Sequence, residues 1–530
     1  MTGLASIRAS RRSPSTRRAA PPWPLLGVAA GVALLALLPL VYLVLRALDD
    51  GAGALEALAR PRTLELIVST LVLGGAVIVG AVSLGVPLAW LTVRTDLPAR
   101  RAFSVLAIAP LAVPSYLLAF AFVGAFAPRG WLSGSGVTSV YGFWGAALVL
   151  SLATMPYVVI ATRAALMRLD PATEEAARSL GRGPWAAART AILPVLIPAI
   201  GAGALLACLY AISDFGAVSI LRYDTLATAI YSQYRFSFDR SSAAGLALVL
   251  LALALLLVWA EGRIRRHMAL TTPHGRRRVP TPVRLGPWRT PAMLFCLAVA
   301  ALALGVPVVT ISLWLIDGLR ADLTIALGLD ALGDSVTLAG GASVLAVLLA
   351  LPLARLVSHF PGRASMLTDR LLYAIYALPA VSLALAIVFF TLNAVPVLYQ
   401  TVLALVLAIG MRYLVQAVGA LRGPMLQVSP RTIEAARSLG EGSAGVLRTV
   451  TIPLLRPGIV AGVMLVFLSG LKELPLTLLL APPGMSTLAT ELWDAAREAF
   501  YAQAAIPAAL LLLVSFLSVG LLVRRGELES

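Results

Sequence analysis

The chain has 530 residues, of which 59% are hydrophobic and only 13% charged, with a formal net charge of +17 and a mean hydropathy of +0.91. No soluble domain hides that much apolar surface, so the composition is that of an all-α polytopic membrane protein. The positive balance does not point to nucleic acid, because the arginines fall in the short gaps between apolar stretches, where they set orientation across a membrane.

Residues 1–22 form a basic tail containing RASRRSPSTRR. The apolar run that follows, from Trp23 to Leu45, is too long for a signal-peptide core, so it reads as the first span. Further apolar stretches lie near 64–91, 102–126, 141–162, 191–221 and 243–260. A second set follows near 291–316, 335–357, 371–393, 400–421, 450–480 and 503–523. The pattern predicts twelve transmembrane helices in two sets of six: a first repeat at 23–261, a basic, Pro-rich linker at 262–290, a second repeat at 291–523 and a short tail at 524–530. Placing both termini in the cytoplasm puts most of the Lys and Arg on that side, as the positive-inside bias requires. With an even number of spans per set, both halves cross in the same direction, as parallel repeats about an axis along the membrane normal.

The loops after the fourth span of each set carry nearly the same words. Residues 170–181 read DPATEEAARSLG and residues 429–440 read SPRTIEAARSLG, an offset of 259. The match continues at Gly183/Gly442, Arg189/Arg448, Thr190/Thr449, Pro194/Pro453 and Pro198/Pro457. Asp170-Pro171 and Ser429-Pro430 are helix starts, with a side-chain acceptor followed by a proline that needs no N–H partner. Gly181 and Gly440 suit the left-handed turn that ends such a helix. The alanines leave a shallow face from which Glu175 or Glu434 projects, a form suited to a groove on a partner; the plainer alternative is an amphipathic helix resting on lipid headgroups. Duplication together with the flanking prolines favours docking.

The run Glu175-Ala176-Ala177, Gly181, Ala191, Leu193-Pro194 and its copy Glu434-Ala435-Ala436, Gly440, Val450, Ile452-Pro453 resemble the signature of inner-membrane permease subunits of ATP-binding-cassette importers. Ala191 and Val450 stand where that family usually has isoleucine. The resemblance implies that each element is a coupling helix docking on an ATPase subunit. It further implies a fused permease that contacts two ATPases, receives substrate from a periplasmic binding protein, and lies in the bacterial inner membrane among lipid, with no nucleic acid involved. The chain itself lacks a P-loop, since its single lysine, Lys472, sits in SGLKELP. No cofactor is expected in this chain; ATP and Mg would belong to the partner subunits, and no catalytic residue is expected.

Ionisable residues inside spans each cost roughly 2.5–3.5 kcal/mol on insertion scales and are therefore functional suspects. Asp214 and Glu473 occupy equivalent positions, twenty residues after Pro194 and Pro453, and Lys472 adjoins the second. We expect these three to line the translocation path or its gate, the alternative being local neutralisation of Glu473 by Lys472. The stretches SDFGAVSILRYDTLATAIY and KELPLTLLLAPPGMSTLATELW resemble permeases of ferric-iron importers, which implies Fe(III) as cargo. Oxygen ligands from the two acids suit that hard ion, although thiamine, phosphonate and polyamine importers share the architecture.

Other classes find little support. A secondary transporter of the major facilitator type usually carries a Gly-x-x-x-Asp-Arg-x-Gly-Arg-Arg loop, whereas the corresponding loops here read RTDLPARR, with Asp96, and SHFPGR. Cys208 and Cys296 sit in apolar segments, and His267, His274 and His359 form no ligand cluster.

Overall fold

The computed structural model describes residues 21–49, 59–137, 139–169, 179–181, 183, 186, 188–236, 240–271, 282–320 and 326–524. Their regular structure is helical, apart from one isolated bridge between Thr95 and Val283; turns and short loops join the helices. Both tails beyond them, the linker centre and the first copy of the motif through Glu175, Ala176 and Ala177 lie outside the described residues.

The first half comprises α1 (Trp23–Asp49), α2 (Pro61–Arg94), α3 (Arg100–Ile108), α4 (Ser115–Phe126), α5 (Phe143–Arg168), α6 (Leu193–Ser213), α7 (Gly216–Ile220), α8 (Leu226–Arg235) and α9 (Arg240–Thr271). The second comprises α10 (Arg289–Ala300), α11 (Val306–Arg320), α12 (Ala326–His359), α13 (Arg363–Ala377), α14 (Ala380–Ala394), α15 (Val402–Arg412), α16 (Leu414–Gln427), α17 (Pro430–Ser438), α18 (Ser443–Val446), α19 (Ile452–Leu471), α20 (Pro475–Leu480), α21 (Leu488–Arg497) and α22 (Tyr501–Arg524). Nine helices among the described residues are long and apolar enough to cross a membrane, and three bent pairs bring the number to twelve.

The bends are a feature the hydropathy pattern did not predict. Span three turns by 98° between α3 and α4, and span nine by 100° between α13 and α14. Pro114 and Pro379 stand at these breaks, where the missing N–H and the fixed φ end the preceding helix. Span ten bends by 50° between α15 and α16. Each break frees backbone carbonyls that a membrane interior cannot satisfy with water.

Within each half, the second, fourth and fifth spans make the core: α2, α5 and α6 pack together, and so do α12, α16 and α19. Small residues set the distance. A side chain on Gly203 would come within 2.8 Å of the Val158 backbone, and one on Gly462 within 3.4 Å of the Ala417 backbone. These two glycines are equivalent across the repeat, and both let adjacent helices approach closely.

The first span of each half leaves its own core. α1 packs on α14, α12 and α13 of the second half, while α11 packs on α4 of the first. Trp314 of α11 lies against Phe120 of α4 with ring centroids 4.8 Å apart, and a side chain at Gly124 would collide with that indole. Tyr42 of α1 meets Phe390 of α14 edge-on at 6.3 Å. The halves are therefore held by exchanged arms.

α9 continues to Thr271, past the residue at which the sequence places the start of the linker. The end of the linker is clamped to the loop after α2: Val283 N–H donates to the Arg94 carbonyl at 2.7 Å, and Asp96 accepts the Leu285 N–H at 2.9 Å.

Candidate functional site

The second motif copy folds as the sequence predicts. Ser429 Oγ accepts the Thr432 N–H at 3.2 Å and opens α17. The Ser438 hydroxyl donates to the Glu434 carbonyl at 3.0 Å, and the chain turns at Gly440 with φ +91°. Gly181 has the same handedness, φ +80°, in the first half. Glu434 and Ala435 are exposed and Ala436 is buried against the body. Leu439 is 87% exposed and its equivalent Leu180 is 80% exposed. Two apolar knobs thus stand at polar loops, a signal present in the shared SLG triplet that sequence reasoning passed over.

Asp214 and Glu473 also behave as equivalents. Each ends a long helix and starts a short one. Asp214 Oδ1 accepts the Ala217 N–H at 2.8 Å, and Glu473 Oε1 accepts the Leu476 N–H at 3.4 Å. Both are buried, at 9% and 5% exposure. The remaining carboxylate oxygens take hydroxyls from different elements: the Ser115 hydroxyl donates to Asp214, and the Tyr413 hydroxyl donates to Glu473. Tyr210 in turn donates to Ser115 Oγ at 3.2 Å. The same spans repeat a further detail outside the cavity: Thr225 N–H donates to Thr228 Oγ1 at 2.9 Å, and Thr487 N–H to Thr490 Oγ1 at 2.8 Å, so the duplicated TLAT starts α8 and α21 alike.

The two acids open into one chamber of about 190 Å³ between the halves, lined from both by residues that include Ser115, Tyr116, Tyr157, Tyr210, Tyr376, Arg412, Tyr413 and Lys472. A neighbouring cavity of about 240 Å³ shares Tyr157, Tyr376 and Gln416 with it and extends to Glu261 near the end of span six. The predicted trio of Asp214, Lys472 and Glu473 is thereby brought to one place, on the interface that the repeat symmetry implies.

The halves are not equal in charge. Lys472 reaches across the interface and donates to the Leu111 carbonyl at 2.6 Å. Leu111 lies in the turn between α3 and α4, so this ammonium satisfies a carbonyl freed by the break in span three. Arg412 donates to the Leu378 carbonyl at the corresponding break in span nine, and lies 3.7 Å from Glu473. In the first half, Ala153 and Ser213 stand at the positions of Arg412 and Lys472. The alternative reading, local neutralisation of Glu473 by Lys472, does not match the geometry: among the described ion pairs, Glu473 faces Arg412, and Lys472 donates to the Leu111 carbonyl. Arg412 and the tyrosines were missed. Arg412 was findable as an ionisable residue inside the 400–421 apolar stretch; the tyrosines carry no signal until the bends bring them together. No group of three or more His, Cys, Asp or Glu side chains able to hold a metal exists among the described residues.

Comparison with known proteins agrees with this architecture. The family of binding-protein-dependent transport system inner membrane components matches twice, at residues 81–270 and 342–526. The chain is 35% identical to the Fe(3+)-transport system permease protein FbpB 2 of Haemophilus influenzae over 92% of this chain and 95% of that protein. It is 30% identical to the sulfate transport system permease protein CysT of Escherichia coli over 43% of this chain and 86% of that protein. It is likewise 30% identical to the molybdenum transport system permease protein ModB of Escherichia coli over 32% and 80%. Its relatives are transport permeases and not enzymes. The duplicated match, the paired six-span halves and the chamber between them lead to one conclusion: the chain belongs to the binding-protein-dependent transport system inner membrane components, as a permease carrying two copies of the family domain.

Proposed function

We propose that the chain is a fused, two-domain permease of an ATP-binding-cassette importer for ferric iron, with both termini in the cytoplasm. A periplasmic binding protein delivers the ion to the outward face. Two separate ATPase subunits, which bind ATP and Mg, engage the loops at Glu175-Ala176-Ala177…Gly181 and Glu434-Ala435-Ala436…Gly440. Asp214, Lys472 and Glu473 belong to the path or its gate. The observation that carries the choice of iron is the similarity to the ferric permease through both halves, whereas the sulfate and molybdenum relatives match across less than half of the chain. The oxygen-rich chamber supports it, because hard cations take oxygen ligands.

In this reading the exposed leucines, Leu180 and Leu439, enter grooves on the ATPases, and ATP binding there moves the two halves relative to each other. Docking must differ between the two states, since equal affinity for both shifts nothing. The test is reconstitution of the permease with its ATPase and binding protein in proteoliposomes. Binding protein loaded with Fe(III) is expected to stimulate ATP hydrolysis and drive radiolabelled iron uptake. Stimulation by a sulfate- or molybdate-loaded binding protein, with none by the iron-loaded one, would transfer the assignment to oxyanions.

A further inference from the structure

The chamber continues toward the end of the molecule that carries the motif loops. Tyr157, Leu206, Leu209, Tyr376 and Gln416 line both it and the neighbouring cavity of about 240 Å³, so the two spaces meet at a neck built from both halves. Beyond the neck lie Leu205, nearer than Asp214 to the start of α6, and Tyr373, nearer than Tyr376 to the start of α13. Tyr157 and Gln416 are equivalents at the 259 offset, each thirteen residues before its motif's helix start, Asp170 or Ser429. Backbone packing fixes both positions: a side chain on Gly203 would come within 2.9 Å of the Tyr157 carbonyl, and one on Gly462 within 3.4 Å of the Ala417 backbone. From there the halves diverge. Tyr157 packs its ring on Tyr210 at 6.3 Å, whereas Gln416 accepts the hydroxyl of Ser469, the equivalent of Tyr210, at 3.0 Å. The second ring of the neck comes instead from Tyr376, three residues before Pro379, where the first half has Leu111 before Pro114. It meets Tyr413 edge-on at 6.2 Å.

Tyr376 stands on a different support. α13 lies outside the core trio of α12, α16 and α19, and ends at the 100° break. Arg422 of α16 donates to Asp369 of α13 at 3.3 Å. Asp369 precedes Tyr376 by seven residues, about two helical turns, which puts both on one face of α13. Arg422 likewise stands seven residues before Ser429, where the second motif begins.

We propose that Tyr157 and Tyr376 form the inner gate of the path: Tyr157 is the fixed leaf, and Tyr376 is the leaf that the second motif moves through Arg422 and Asp369. The proposal rests on the ATPase-driven reading above and is independent of the cargo. A path open at both ends conducts without using ATP, so the chamber needs a closure on the motif side that responds to the ATPases. Two rigid rings from opposite halves close such a neck, and a displacement of α13 separates them. The gate is therefore one-sided. The first half supplies a ring held by packed backbone, and the second a ring on a broken span, although the two repeats share one architecture.

The experiment uses the complete permease–ATPase complex in proteoliposomes whose ATPases face outward. On a background of Cys208→Ala and Cys296→Ala, Ser213→Cys places one thiol in the chamber, at the position equivalent to Lys472. A membrane-impermeant methanethiosulfonate reagent is added outside, either without nucleotide or with ATP held on hydrolysis-deficient ATPases. The labelling rate is expected to differ about tenfold or more between the two states. Tyr157→Ala combined with Tyr376→Ala is expected to remove that difference. Tyr157→Phe combined with Tyr376→Phe is expected to keep it, because the ring and not the hydroxyl blocks the neck. Asp369→Ala is expected to shrink it severalfold. Monodisperse elution, together with ATP hydrolysis by the same permeases carrying active ATPases, reports folding and assembly. A hydrolysing complex with an unaltered neck and equal rates in both states, or an Ala pair that keeps the full difference, would overturn the gate. An undiminished difference in Asp369→Ala would overturn the movement of the leaf through that ion pair. A complex that hydrolyses no ATP would overturn the ATPase-driven reading itself.

Discussion

At the scale of single residues, the informative positions are those where one substitution separates two roles. Asp214 accepts the Ala217 N–H and also places a charge in the chamber. Asparagine supports such a turn about as well as aspartate, so Asp214→Asn removes the charge and keeps the turn. Iron uptake in proteoliposomes is expected to fall about tenfold, equivalent to about 1.4 kcal/mol; wild-type uptake would return the residue to a purely local role. Lys472→Met keeps a flexible side chain of similar length but leaves the Leu111 carbonyl without its donor. Because that bond joins the halves, the expected result is a severalfold rise in ATP hydrolysis without binding protein, a coupling change of about 0.5–2 kcal/mol. Unchanged hydrolysis would reduce Lys472 to a carbonyl cap. Gly440 adopts φ +91°, where a β-carbon is strained. Gly440→Asp is expected to abolish stimulation of the ATPase while the permease still inserts in the membrane, as judged by fractionation and hydrolysis assays.

Among elements, the decisive feature is how closely helices approach and where they break. α5 and α6 touch through Gly203, whose hydrogens face the Val158 backbone and the Tyr157 carbonyl. Backbone cannot yield as a side-chain tip can, so Gly203→Leu overpacks the first half by about 1–3 kcal/mol, read as a lower melting temperature in detergent. Equal melting temperatures would mean that the spans separate without cost. The breaks at Pro114 and Pro379 matter differently, because they carry Ser115 and Tyr116 inward and present the carbonyls that Lys472 and Arg412 cap. The twelve spans were legible in hydropathy, and the helix of the second motif copy was legible in Ser429-Pro430 and Gly440, since local capping chemistry sets its ends. The sharp bends were not, because a proline in an apolar stretch can kink, end or merely tilt a membrane helix according to its neighbours.

For the whole molecule, the exchanged first spans determine how the halves stay together. α1 covers α14 and α12, and α11 covers α4, so each half completes the other. The covalent linker is then expected to be dispensable. A chain cut between residues 271 and 282 and expressed as two polypeptides is expected to restore iron uptake when both are present, with the halves co-eluting. Failure to co-elute would show that the arms alone do not hold the assembly. Deleting residues 1–49 tests the same point, since the loss of α1 is expected to loosen the second half more than the first.

By itself, the sequence determined the class of machine. Apolar runs long enough to span a bilayer leave a helical membrane protein as the outcome, and the 259-residue repeat, with two copies of the polar motif and no P-loop, points to a permease that borrows its energy. The same offset paired Asp214 with Glu473, which local patterning alone would have left unrelated. Only the tertiary structure decided what surrounds them. The meeting of Tyr116, Tyr210, Arg412 and Tyr413 depends on two bent spans and on helices from opposite halves, and the reach of Lys472 to Leu111 joins residues 361 positions apart. Such convergence follows from packing and from the need of broken helices to satisfy their free carbonyls away from water, and no periodicity along the chain encodes it.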